Sequence, residues 1–134
     1  MGSSFQDSAR YASSHESPQG PRDSRPTSLQ ILQDNQVIGQ LQDKVILVTG
    51  GSNGLGVDEV KKFAKTGARV FFTSRDVAKG EKVRDEILEE LKDEEPKVEV
   101  LQMDLQSLES VRSCAEEFKT KSNKLNILVN NAGR

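Results

Sequence analysis

The chain has 134 residues, of which 34% are hydrophobic and 4% aromatic, and this lean apolar supply predicts one domain with a small core. Its 19 basic and 21 acidic residues are interleaved and leave a net charge of -2, a pattern that argues against nucleic acid or an anionic membrane as a partner. No apolar stretch approaches the roughly 20 residues that a membrane span needs, and the N-terminus lacks the apolar core of a secretory signal, so we expect a soluble, cytoplasmic protein.

Residues 1–40 are rich in Ser, Gln, Pro and Gly and show no sustained apolar period, which predicts a disordered tail. A few apolar residues in this tail, including Leu29, Ile31 and Leu32, allow one weakly docked helical turn. The single histidine, His15, has no second metal ligand near it, so no metal site is predicted.

From Lys44 onward, buried apolar runs alternate with helical stripes. Four strands are predicted, at residues 45–49, 69–73, 98–103 and 125–129. Three helices separate them, and the third, at 108–120, carries the single cysteine, Cys114, on its apolar pattern. That placement predicts a buried structural thiol and not a nucleophile. Residues 41–134 are therefore predicted to form an α/β segment in which a doubly wound parallel sheet stops after its fourth strand.

The first strand runs directly into a glycine-rich loop that opens the first helix. Gly50 allows a sharp turn out of the strand, Gly54 lets the backbone approach phosphate oxygens, and Gly56 allows close packing of helix on sheet. The helix N-terminus adds free N–H groups and a positive dipole. Glycine turns also occur at strand–helix junctions that bind nothing, but this position favours a dinucleotide site of the Rossmann type, with Ser52, Asn53 and Leu55 completing the loop.

The spacing of these glycines is similar to that of the short-chain dehydrogenase/reductase family, and three further motifs fall at predicted strand ends. They are Ser74-Arg75-Asp76, Asp104-Leu105 and Asn130-Asn131-Ala132-Gly133. The resemblance covers residues 44–133, and the residues after Ser74 and after Asp104 resemble the retinol-dehydrogenase-like and WW-domain-oxidoreductase-like branch. It implies a reversible interconversion of alcohol and carbonyl groups with a nicotinamide dinucleotide as cofactor.

The resemblance also implies roles for the motifs at the later strand ends. Asp104 would accept a hydrogen bond from the adenine amino group, and the Leu105 amide would support the ring. The alternative is that Asp104 makes only local backbone hydrogen bonds. Asn131, Ala132 and Gly133 would line the cofactor channel and tie neighbouring strands together.

The end of the second strand bears on the choice of cofactor. An acidic residue there would bind the ribose 2′-hydroxyl of NAD and repel a 2′-phosphate, but this chain has the neutral Ser74. Arg75 follows, and a guanidinium can pair with phosphate through two parallel hydrogen bonds. The sequence therefore favours NADP over NAD, unless Arg75 is an ordinary surface arginine.

Catalysis in the resembling family uses a serine and a Tyr-x-x-x-Lys pair. The only tyrosine here is Tyr11, followed four residues later by His15, so no catalytic residue is assigned. We therefore expect the cofactor-binding half of an oxidoreductase, a fragment inactive as this chain; a non-catalytic nucleotide-sensing or partner-binding module is the alternative. Residues 130–133 speak against another doubly wound enzyme such as a methyltransferase.

The fourth strand is expected to be an exposed edge of the sheet. It carries the apolar residues Ile127, Leu128 and Val129. Unpaired apolar edges recruit other chains, so non-specific self-association and marginal stability are predicted.

Overall fold

The structure is a computed structural model that describes residues 10–132, and the chain divides between residues 36 and 37 into two compact units. In the first unit, a 3-10 turn covers Ala12–His15 and helix α1 covers Ser28–Asp34. Thr27 begins α1 by accepting the Gln30 N–H at 3.1 Å. This helix lies where the apolar residues allowed a helical turn; residues 1–9 of the predicted tail lie outside the description.

The second unit contains a four-stranded parallel sheet. Its strands are β1 (Val45–Val48), β2 (Arg69–Ser74), β3 (Lys97–Gln102) and β4 (Ile127–Val129). They lie in the order β3-β2-β1-β4, so the first strand is central and chain order reverses beside it. This order confirms the predicted parallel α/β sheet and puts the switch point of the topology between β1 and β4.

Three helices cover the two faces of the sheet: α2 (Gly54–Lys65), α3 (Val77–Glu90) and α4 (Leu108–Lys121). Val60 of α2 and Ile87 of α3 are fully buried in one apolar cluster, which also includes β-strand residues such as Phe72. Phe71 points to the other face, where it packs with Cys114 of α4. Alternate residues of β2 thus enter opposite cores, which confirms the doubly wound arrangement.

Cys114 is 5% exposed. Burial, together with the nearby Glu117 carboxylate, raises the pKa of its thiol. The thiolate is therefore disfavoured, in agreement with the predicted structural role.

The second unit begins at Val37, and the Gly39 and Leu41 N–H groups donate to the carbonyls of Lys65 and Thr66 at the end of α2. The bounds of one strand differ from the sequence prediction for an identifiable reason. Strand β4 is shorter than the predicted 125–129, because the side-chain Oδ1 of Asn126 accepts the Val45 N–H at 2.9 Å in place of a backbone partner.

Strand β4 pairs with β1 alone among the described residues, so it forms an edge as predicted. Ile127 and Leu128 on it are 39% and 50% exposed. None of the helices within residues 10–132 has the length and apolar character needed to cross a membrane.

Candidate cofactor site

A groove of about 720 Å³ lies beyond the carboxyl ends of the strands. It is lined by residues that follow β1, β2, β3 and β4, namely Gly50, Ser52, Asn53, Thr73, Ser74, Arg75, Asp76, Lys79, Met103, Asp104, Leu105, Gln106, Asn131 and Ala132. Parallel strands bring their carboxyl ends to one edge, so four separate loops meet here. Most of the sequence-predicted site residues therefore lie together.

Two glycines of the loop are required by close packing. Gly50 has φ +71°, and a Cβ there would lie 2.9 Å from the Cα of Ala132. A Cβ on Gly56 would lie 2.4 Å from the Gly50 carbonyl oxygen and 2.8 Å from Nδ2 of Asn131. The first turn of α2 can rest on the loop only because Gly56 has no side chain.

Gly54 has a different role, because a Cβ there would meet no atom within 4 Å. Its φ of +49° favours glycine, and its open side leaves the backbone accessible. Asn53, which precedes α2, makes no side-chain capping hydrogen bond to the helix. The Gly56 N–H donates to the Asn53 carbonyl at 3.0 Å, which leaves the N–H groups of Gly54 and Leu55 to face an anion. The Leu55 side chain points outward with 77% of its surface exposed.

Hydrogen bonds join the segment after β4 to the end of β1. The N–H groups of Asn131 and Ala132 both lie 3.1 Å from Oγ1 of Thr49 and donate to it. Asn131 Nδ2 donates to the Gly50 carbonyl at 3.2 Å. These contacts tie the edge strand β4 to the central strand β1 beside the groove. The third member of the predicted set, Gly133, lies outside the described residues.

Ser74 closes β2 and is only 3% exposed. Its Oγ lies 2.7 Å from the Asp76 carbonyl oxygen and 3.1 Å from Oγ of Ser52. A carbonyl can only accept, so the Ser74 hydroxyl donates to Asp76 and accepts from Ser52. Its single proton is therefore used within the protein.

Arg75 is exposed at the rim of the groove. Within residues 10–132 its guanidinium makes neither a hydrogen bond nor an ion pair, so its donors are available to an anionic ligand.

Asp104 makes local backbone contacts. Its Oδ1 accepts the Gln106 N–H at 2.9 Å, and its own N–H donates to Oγ of Ser110 at 2.9 Å. These bonds match the alternative interpretation, in which Asp104 makes local backbone hydrogen bonds. Its second carboxylate oxygen, Oδ2, has no hydrogen bond to any residue of 10–132 and is available as an acceptor. Leu105 beside it is 57% exposed on the groove wall.

A family model described as short chain dehydrogenase matches residues 44–134. The chain belongs to the short-chain dehydrogenase/reductase family. It is 44% identical over 124 residues to the short-chain dehydrogenase/reductase prx1 of Penicillium rubens, a match that covers 92% of this chain and 35% of prx1. It is 40% identical over 94 residues to human retinol dehydrogenase 12, which covers 70% of this chain and 29% of that enzyme. The chain thus spans about a third of the length of these curated relatives, and the predicted retinol-dehydrogenase-like placement is confirmed.

A solved member of the short-chain dehydrogenase/reductase family supports the fold. It is a metagenomic short-chain oxidoreductase in complex with NADP, 33% identical to this chain, with a TM-score of 0.62 over 70% of this chain and 41% of that one. The Rossmann-type interpretation of the sheet is confirmed by this similarity.

Four residues of the site were not assigned a role from the short-chain dehydrogenase motifs. Thr49 anchors the β4 loop, and Thr73 accepts the Gly50 N–H through Oγ1 at 2.9 Å. Gly51 packs on Phe72, since a Cβ there would lie 2.6 Å from that side chain's Cβ. Lys79 donates through its ammonium group to Oδ1 of Asn53. The partners of Thr49, Gly51 and Lys79 are distant in sequence, so local spacing gives no signal for these contacts.

Proposed function

We propose that this chain is the cofactor-binding half of an NADP-dependent short-chain oxidoreductase that interconverts alcohols and carbonyls. The observation that carries the proposal is the rim of the groove. There Arg75, which has no hydrogen bond or ion pair to the described part of the chain, follows a buried, neutral Ser74 at the end of β2. A carboxylate at that end would repel a 2′-phosphate, whereas a guanidinium attracts it.

The groove fits the rest of a dinucleotide. The backbone at Gly54 is open on one side, and the uncapped N-terminus of α2 offers N–H groups and positive dipole to a pyrophosphate. Ser52, Asn53, Leu55 and the glycines Gly50 and Gly56 shape this loop. Asp104, Leu105, Asn131, Ala132 and Gly133 are proposed to line the adenine and channel sides. The bound cofactor would accept or supply a hydride, and the residues present here position it.

Turnover by the 134-residue chain is not expected. The sequence holds no Tyr-x-x-x-Lys pair, since Tyr11 is its only tyrosine and position 15 is histidine. Proton transfer to or from a substrate oxygen needs a group within hydrogen-bond reach of it, and the chain has no such group assigned.

Isothermal titration of the chain with NADPH and NADH tests the proposal. We expect tighter binding of NADPH, and we expect Arg75→Glu to reverse the preference, because the new carboxylate repels the 2′-phosphate and can accept from the ribose hydroxyl. Arg112→Glu makes the same charge change on an exposed arginine outside the groove and should leave the preference unchanged.

An unchanged NADPH/NADH ratio in Arg75→Glu would contradict the assignment of Arg75. Failure of the unmodified chain to bind either nucleotide would contradict the cofactor site itself.

A further inference from the structure

A lysine of α3 reaches across the groove to the glycine-rich loop. Lys79 lies in the first turn of α3, where its backbone N–H donates to Oδ1 of the capping residue Asp76 at 3.3 Å. Its ammonium group donates to Oδ1 of Asn53, 26 residues earlier in the chain. One exposed side chain therefore connects the start of α3 to the start of α2.

Among the residues that the structure describes, the charge of Lys79 has no acidic partner. By contrast, two lysines of α2 pair with carboxylates at or after the C-terminal end of α3, Lys61 with Glu90 at 2.9 Å and Lys65 with Glu94 at 3.7 Å. Within residues 10–132, neither Lys79 nor Arg75 forms an ion pair with a carboxylate. The amide oxygen of Asn53 accepts a proton donor but carries no net charge, so the ammonium remains uncompensated.

The hydroxyl groups of Ser52 and Ser74, at the same end of β2, are poorer donors to a phosphate than a free cationic group. Ser74 gives its proton to the Asp76 carbonyl, and Ser52 gives its proton to Ser74. Among the side chains at this end of β2, cationic groups therefore remain as donors for a 2′-phosphate. Lys79 and Arg75 are the two cationic residues that line the described groove.

An anion can replace the Asn53 amide as the acceptor of the Lys79 ammonium group. The bond to Asn53 joins a charged donor to a neutral acceptor, whereas a bond to phosphate joins two opposite charges and adds their Coulomb attraction. In the free protein the amide holds the flexible lysine over the groove, which reduces the ordering that binding must supply.

We propose that Lys79 is a second specificity-determining residue for NADP, which holds the 2′-phosphate together with Arg75. Asn53 is its positioning residue, which keeps the ammonium over the groove until the phosphate takes the place of the amide. This inference rests on the proposed function of the groove as an NADP site.

Adenosine 2′,5′-bisphosphate and adenosine 5′-monophosphate are the probes that isolate this role, because they differ only in the 2′-phosphate. We expect Lys79→Met to weaken binding of the bisphosphate about tenfold and to leave binding of the monophosphate within about twofold. Lys79→Arg should retain most of the affinity. Lys82 is also exposed on α3, three residues after Lys79, but it lies outside the groove. Lys82→Met should therefore leave the affinities for both probes unchanged.

Isothermal titration of the full chain and of each variant with both probes measures these affinities. Thermal melting followed by circular dichroism checks that each variant is folded. If Arg75→Glu loses the bisphosphate preference while Lys79→Met keeps it, Lys79 has no such role and the proposed cofactor site stands. Equal losses in Lys79→Met and Lys82→Met would reduce the effect to overall charge and overturn the inference. If the unmodified chain binds neither probe, the proposed function falls and this inference falls with it.

Discussion

The glycines of the loop after β1 are required for different physical reasons at neighbouring positions. Gly56 is needed because the space of a side chain is already filled by the Gly50 carbonyl and the Asn131 amide. Gly54 faces open space but has φ +49°, so its constraint lies in the backbone alone. Sequence spacing identified both glycines and predicted close packing at Gly56, whereas the positive φ of Gly54 is seen only in the structure.

Gly56→Ala is expected to destabilise the chain more than Gly54→Ala. At Gly54 the cost is the strain of an alanine at positive φ, about 1 kcal/mol. At Gly56 the added Cβ meets backbone atoms that cannot rotate away, so the first turn of α2 must move. Urea unfolding of both variants measures the two free energies. The reverse order, or an unchanged Gly56→Ala, would contradict this packing.

At the level of elements, helices α3 and α4 begin by the same local rule. Asp76 and Ser107 stand immediately before α3 and α4, and the side chain of each accepts an N–H from three residues later. The apolar pattern of the sequence predicted α4 closely, at 108–120 against the observed Leu108–Lys121, and the Ser107 cap marks where this helix begins. Strand β4 was predicted less well, because the side chain of Asn126 contacts Val45, 81 residues away.

Ser107→Ala should lower the free energy of unfolding by about 1 kcal/mol, because the Ser110 N–H at 3.1 Å loses its acceptor. Ser113→Ala is the matched control, since Ser113 is exposed within α4 and alanine is the better helix former there. Chemical denaturation should show a loss for the first variant and none for the second; equal stabilities would mean that Ser107 contributes no cap.

For the molecule as a whole, the sheet edge is the feature with the largest expected effect on behaviour in solution. Strand β4 has β1 as its only neighbour within the described residues, and its apolar side chains are partly exposed. Backbone groups on such an edge can pair with another chain. The self-association predicted from the sequence therefore has a defined surface, the side of β4 away from β1.

Leu128→Lys should reduce self-association of the chain, because a charge on the edge opposes pairing with a second strand. Sedimentation velocity over a range of concentrations measures the effect. Leu108→Lys removes an exposed leucine of α4, 66% accessible, and should leave association unchanged. A chain that is monomeric at all concentrations would contradict the role of the edge, and equal effects of the two substitutions would point to general hydrophobicity.

Local regularities were enough to predict the order of strands and helices, the glycine-rich loop and the residues at the strand ends. Strand alternation, helical periodicity and the backbone freedom of Gly50 and Gly54 act over a few residues, so they are present in the sequence itself. The same local patterns led to the family resemblance that the comparisons confirmed.

Contacts between residues far apart in the chain were decided by the tertiary structure. Oγ1 of Thr49 accepts hydrogen bonds from two N–H groups that lie 82 and 83 positions later in the chain. Lys79 donates a hydrogen bond to Asn53, and Phe71 and Phe72 enter separate cores on the two faces of the sheet. Each depends on which strands become neighbours and on which face a helix crosses. Burial of apolar surface and satisfaction of backbone hydrogen bonds over the whole sheet decide that arrangement, and no local segment contains it.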